Sequence, residues 1–281
     1  MEKWLIFYDI MWYNYPSNKD YFSINSELLE WVNFDIKKEK KLSSDTEKQE
    51  KILNKYWFLY KHIPFLDSIY VCNSLSFKSI HEDSDIDLFI VTKNDRIFLA
   101  KLFIWIFFKI FWMYGTHQKD KFCIWFYVTK DNQDLYPISI FPIDLYLAYW
   151  IAHLQPLYSE NWNFDIYKEN IWVKEIIPNY NMDYQKLLKT KIFIWKWWIK
   201  KILEAIFWWN TLNKLLWIIW KKKMNIGKKR IWKKWKYMLI SDNILKFQAP
   251  DIRKTVYIKY KTLKNKVVRK KIKKIQEKSL F

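Results

Sequence analysis

The spacing of apolar and polar positions changes several times along the chain. Met1 to about Asn54 predicts helices around a polar linker, and the charged run KKEKKLSSDTEKQEK at Lys37 to Lys51 predicts a helical or solvated segment. An apolar and basic pattern then predicts a helix from Ile52 to His62. Pro64 stops it, because proline disfavours helical geometry in the residue before it. Two short β-prone runs follow, SIYVC at Ser68 to Cys72 and IDLFIVT at Ile86 to Thr92, and FCIWFYV at Phe122 to Val128 predicts a third strand. The apolar stretch from Arg96 to Tyr114 has nearly the length of a membrane span. Lys101 and Lys109 interrupt it and strands flank it, which predicts a buried crossover helix with snorkelling lysines instead.

After Pro142 the segment IDLYLAYWIAHL has helical spacing and ends before Pro156. Tyr158 to Asn181 reads as irregular, and Lys186 to Trp220 as one or two amphipathic helices. The expected class is α/β, a mixed sheet with flanking helices. Residues 1–58 form a helical N-terminal segment, 59–158 the core, and 159–281 a basic helical C-terminal segment. With 281 residues, 51% of them hydrophobic, the chain can build one large domain or two modest ones.

The chemistry concentrates in VCNSLSFKSIHEDSDIDLFIV, Val71 to Val91, where carboxylates stand at the mouth of an apolar strand. Side chains two apart on a strand share a face, so Asp85 and Asp87 project side by side. Two such carboxylates repel unless a cation sits between them, and a hard divalent ion with oxygen ligands meets that need. Upstream, Asn73 and Ser74 end the first strand at a tight turn into a short helix, Leu75 to Ile80, whose amides and hydroxyl suit an anion. A solvated turn with aspartate capping a local bend is the plainer alternative.

A small residue plus serine, a ten-residue spacer, and Asp-x-Asp in an apolar strand resemble the nucleotidyltransferase superfamily that includes DNA polymerase beta. Here the matching residues are Asn73-Ser74, Leu75 to Ser84, and Asp85-Ile86-Asp87. The tight match covers Ile69 to Val91, and the order of strands and helices extends it to Tyr158. YPISIFPIDLYLAYWIAHLQPLY and MLISDNILKF look like stretches of uncharacterised bacterial nucleotidyltransferase-domain proteins. The resemblance implies a nucleotidyltransferase-like sheet and metal-dependent transfer of a nucleoside monophosphate from an NTP to an acceptor hydroxyl. It implies Mg²⁺ (or Mn²⁺) on Asp85 and Asp87, with Ser74 and the amides near Asn73 seating the phosphates.

Two departures stand out. The family has glycine before the serine where this chain has Asn73, a residue that tolerates left-handed geometry. The family also supplies a third carboxylate from a later strand, yet Lys121 to Val128 contains none; Asp120 is the nearest candidate. An inactive protein that keeps the fold and binds NTP or RNA is therefore the alternative function.

Charge narrows the acceptor. Lysine and arginine number 49 against 29 acids, a formal +20, which suits an anionic or neutral acceptor such as RNA or a protein hydroxyl better than a cationic aminoglycoside. Lys221 to Lys236 and Lys259 to Lys274 each hold nine basic residues and no acid. They suit RNA phosphates or an anionic membrane surface, and lysine-rich drift from A+T-rich coding predicts the same counts; a peripheral membrane protein using the Lys186 to Lys236 helices is a third reading. Cys72 and Cys123 read as small buried hydrophobic thiols, and the start of the chain lacks a signal-peptide pattern, so the expected compartment is cytoplasmic. The four histidines show no metal-ligand spacing.

Nineteen tryptophans accompany two glycines, where usage would give roughly 20 glycines. The expectation is that many tryptophan positions are UGA codons that the source reads as glycine.

Overall fold

The computed structural model describes residues 36–76, 80, 83–115, 118–161, 164–177, 193–194, 198–208, 210–230, 239–247, 253–258, 260–262 and 265. Of the sequence-based expectations, those on residues 1–35, on Phe77 to Ser79, on His81, Glu82 and His117, and on most of Lys259 to Lys274 lie outside them.

The charged run forms a helix, α1 (Ile36–Lys55). The helix expected to reach His62 breaks at Tyr56 (φ −96°, ψ 15°), and a short α2 (Trp57–Tyr60) turns Leu59 and Tyr60 into the core. Then come β1 (Leu66–Val71), α3 (Asn73–Ser76), β2 (Ile86–Thr92), α4 (Ile97–Ile110) and β3 (Phe122–Thr129). The rest comprises α5 (Leu145–Ala152), β4 (Gln155–Ser159), α6 (Ile166–Glu169), α7 (Val173–Ile176), β5 (Phe193–Ile194), α8 (Trp198–Ile206), α9 (Asn210–Arg230), β6 (Leu239–Ile240) and β7 (Ile244–Lys246).

The strands make one mixed sheet in the order β5-β4-β1-β2-β3-β7-β6, flanked by helices, so the chain is α/β. β2 pairs parallel with β3 and β4 with β5, and the other neighbours are antiparallel. Two parallel neighbours cannot be joined by a tight turn, and α4 supplies the crossover between β2 and β3. Among the described residues, no helix is long and apolar enough to cross a membrane.

Alternation along the central strands sends their side chains to two cores. Ile69, Val71, Leu88, Ile90 and Ile124 pack with Ile104 and Phe108 of α4, with Leu216 and Trp220 of α9 at the margin. Tyr70, Phe89, Val91 and Phe126 pack with Leu147, Trp150 and Ile151 of α5 on the other face.

Three expectations need correction. Lys109 is exposed, but Lys101 does not snorkel: its Nζ lies 3.5 Å from the ring centroid of Phe247 and 4.5 Å from that of Trp220, because α9 and the end of β7 cover it. Burial lowers its pKa to about 7. The segment read as irregular begins inside β4, a fully buried strand paired with β1. The expected division at residues 158 and 159 thus falls within a strand, and β5, β6 and β7 from the C-terminal stretch complete the same sheet.

One tryptophan bears on the glycine shortage. Trp112, just past the end of α4, has φ 56° and is 83% exposed, and the next amide, Met113 N, donates to Phe108 O at 2.8 Å. This left-handed position closing a helix is ordinarily glycine.

Candidate metal centre

The site forms where β2 and β3 begin. Asp85 immediately precedes β2, Asp87 is its second residue, and the parallel register sets Cys123 of β3 opposite Asp87. One ligand atom from each of Asp85, Asp87 and Cys123 lies within 4.8 Å of the other two. Both aspartates are partly exposed and Cys123 is buried. Backbone bonds hold the mouth of the strands: Ile86 N donates to Lys121 O at 2.8 Å, and Cys72 N to Asp87 O at 3.0 Å.

The acids are thus brought together as their spacing implies, but the third member is a thiol that the sequence reading placed among hydrophobic core residues. A signal for it existed. Predicting a crossover between parallel strands also aligns IDLF with FCIW, and that alignment puts Cys123 beside Asp87.

Burial raises the Asp87 carboxyl to about 7, helped by the charge of Asp85, while side-chain hydrogen bonds from Asn73 and Cys123 act in the opposite direction. Burial, and then the charges of Asp87 and Asp85, push the thiols of both Cys123 and Cys72 upward. The pocket therefore disfavours accumulating negative charge on its own, which a bound cation would relieve.

Asn73 takes the left-handed conformation expected of it, φ 55°. Its side chain is committed to the protein: Oδ1 accepts from Trp150 Nε1 at 2.9 Å and from the Tyr146 hydroxyl at 3.4 Å, while its amide reaches Asp87. Any contact of Asn73 with phosphate is left to its backbone. Ser76 Oγ donates to Asn73 O at 3.0 Å and tightens the turn, and Ser74 is half-buried beside it. The helix expected at Leu75 to Ile80 starts earlier, at Asn73, and is described only to Ser76.

Asp120 is not part of the cluster. Lys48 of α1 pairs with its carboxylate, Gln49 Nε2 donates to it at 3.3 Å, and the same Gln49 nitrogen donates to Ser84 O at 2.9 Å. The carboxylate nearest in sequence to a third-ligand position is thereby used to tie the acidic loop to α1. His62 and His153 also stand outside the cluster.

Comparison of the chain with family models, curated proteins and solved structures gave no match.

Proposed function

We propose that this chain is a metal-dependent nucleotidyltransferase, moving a nucleoside monophosphate from an NTP to a hydroxyl of an acceptor such as RNA or a protein. The observation that carries the reading is the convergence of Asp85 and Asp87 at the mouth of β2, beside the left-handed turn at Asn73. A nucleotidyltransferase-like arrangement of β1, α3, β2, α4 and β3 agrees with the mixed sheet and its crossover.

The carboxylates of Asp85 and Asp87 fit one hard divalent ion, Mg²⁺ or Mn²⁺, because such ions take one or two protein carboxylates and keep positions for water and phosphate. Bound there, the ion would offset charge on the phosphate oxygens during in-line displacement. Around it, Ser74 Oγ and the amides that follow the Asn73 turn would seat the tail phosphates. Trp150 and Tyr146 hold the Asn73 side chain, and through it they orient Asp87.

A specific observation favours the alternative, nucleotide or RNA binding without turnover. Cys123 supplies soft sulfur where a third carboxylate would supply oxygen, and Asp120 is engaged by Lys48 and Gln49.

Transfer of label from α-labelled ATP to a panel of acceptors, in Mg²⁺ and in Mn²⁺, tests the reading. The expected result is incorporation by the wild type and none by Asp85→Asn with Asp87→Asn. Equal incorporation by both overturns the site assignment, while ion-dependent nucleotide retention without transfer selects the binding protein.

A further inference from the structure

Helices α8 and α9 face solvent in an unusual way. Helix α8 turns two of its three charged residues inward, Lys200 at 1% and Glu204 at 7% exposed, and leaves Lys201 in solvent. The Lys200 ammonium binds Leu66 O and lies 3.1 Å from Glu160, while Glu204 accepts from Lys93 Nζ at 2.6 Å and from Phe65 N at 2.7 Å. With that face anchored to the sheet, Ile202 and Ile206, one turn apart, are left on the outside.

Helix α9 is anchored by a different polar residue. Asn213 Oδ1 accepts from the amides of Phe98 and Leu99, each at 3.1 Å, at the first turn of α4. Leu212 and Leu216 of α9, and Phe207 just past the end of α8, pack against the same small cluster of Phe65, Leu99 and Ala100. Leu215, Ile218 and Ile219 consequently point outward. All five of these outward aliphatic residues are 50% exposed or more.

The exposed charges that these two helices themselves carry among the described side chains have one sign. Lys201, Lys214 and Lys222 are exposed beside the stripes, and Glu204, the one acid in the sequence from Trp198 to Arg230, is buried. Exposed aliphatic side chains bordered by lysine, with no exposed carboxylate among the described side chains of α8 and α9 themselves, match an interface of acyl chains beneath anionic headgroups. A protein partner of average surface would meet the lysines with both signs of charge.

We propose that the outward faces of α8 and α9 are a docking surface for an anionic lipid bilayer. The aliphatic residues enter the headgroup boundary, and the lysines pair with lipid phosphates and carboxylates while burying their stems. The proposal is independent of the metal centre, which lies at the mouth of β2 and β3.

The test is flotation of the full chain with vesicles of equimolar phosphatidylcholine and phosphatidylserine, and with phosphatidylcholine alone. Wild type should float with the first and bind the second at least about tenfold less, since the attraction is partly electrostatic. Ile202→Glu with Ile218→Glu, at exposed positions that leave the inward anchors intact, should lose flotation while keeping the wild-type circular dichroism spectrum. Lys201→Glu with Lys214→Glu keeps the aliphatic stripes and should lose the salt-sensitive part of binding. Wild type remaining at the bottom, or the isoleucine variant floating as well as wild type, overturns the proposal. So does a protein that ignores vesicles but self-associates in sedimentation through the same isoleucines, because the face is then a contact between copies.

Discussion

Asp87 and Cys123 stand opposite each other in the parallel ladder of β2 and β3, a carboxylate facing a thiol at the entrance to the sheet. Sulfur is a poor ligand for magnesium, so replacing it with a carboxylate is the direct way to learn what it limits. Cys123→Asp should transfer label in Mg²⁺ about tenfold faster than wild type, equivalent to ~1.4 kcal/mol of barrier. Cys123→Ser should leave the Mg²⁺ rate unchanged. A slower Cys123→Asp variant of wild-type stability would mean that the thiol is itself required by the proposed reaction.

Trp112 occupies a left-handed position that an L-residue enters at a cost of about 1–2 kcal/mol. Trp112→Gly should therefore raise the urea midpoint, whereas Trp112→Ala, which removes the same exposed ring but keeps a Cβ, should not. The codon for residue 112 gives a separate check, with UGA expected and UGG contrary.

Lys101 lies among Phe247, Trp220 and Tyr127 with a pKa of about 7, against 10.5 for an ordinary lysine. Between those values the unfolded chain keeps a proton that the folded chain has released. Stability from this group consequently rises with pH across the interval, at most about 1.4 kcal/mol per pH unit, and is flat below it. Lys101→Met should remove that slope and raise stability near neutral pH. Urea titrations of both proteins on either side of pH 7 measure it; parallel curves would refute it.

Lys200 holds the carboxylates of Glu160 and Glu204 inside the fold, with Lys93 sharing the load. Removing one partner of a buried ion cluster leaves charge uncompensated, so Lys200→Met should cost about 3–5 kcal/mol by urea denaturation. A loss no larger than that of a surface pair, under about 1 kcal/mol, would count against the cluster as the anchor of α8.

The sequence was most readable where local pattern and tertiary role agree. IDLFIVT is β-branched and aromatic with an acid at its mouth, and β2 spans those same residues, Ile86–Thr92. The crossover helix was legible because its apolar length lay between two strand signals. QPLYS was not read as a strand: five residues buried throughout show no alternation, and Pro156 argues against a ladder position. β6 and β7, of two and three residues, are too short to carry a period. Lys200 and Glu204 look like an outward polar face, and only Lys93 and Glu160, distant in sequence, explain why they turn inward. In the cluster, the closeness of the two aspartates follows from a local pattern and was legible; that of Cys123 depends on register between strands separated by a helix and was not.

The ties from Lys48 and Gln49 to Asp120 and Ser84 have a practical meaning for dissecting this molecule. The charged stretch ahead of the sheet is a buttress behind the acidic loop, and its sequence polarity disguises that duty. A fragment cut to begin at residue 59 would retain every proposed ligand yet lose the side chains that brace the loop carrying them. Minimal versions meant to preserve the centre must keep that helix.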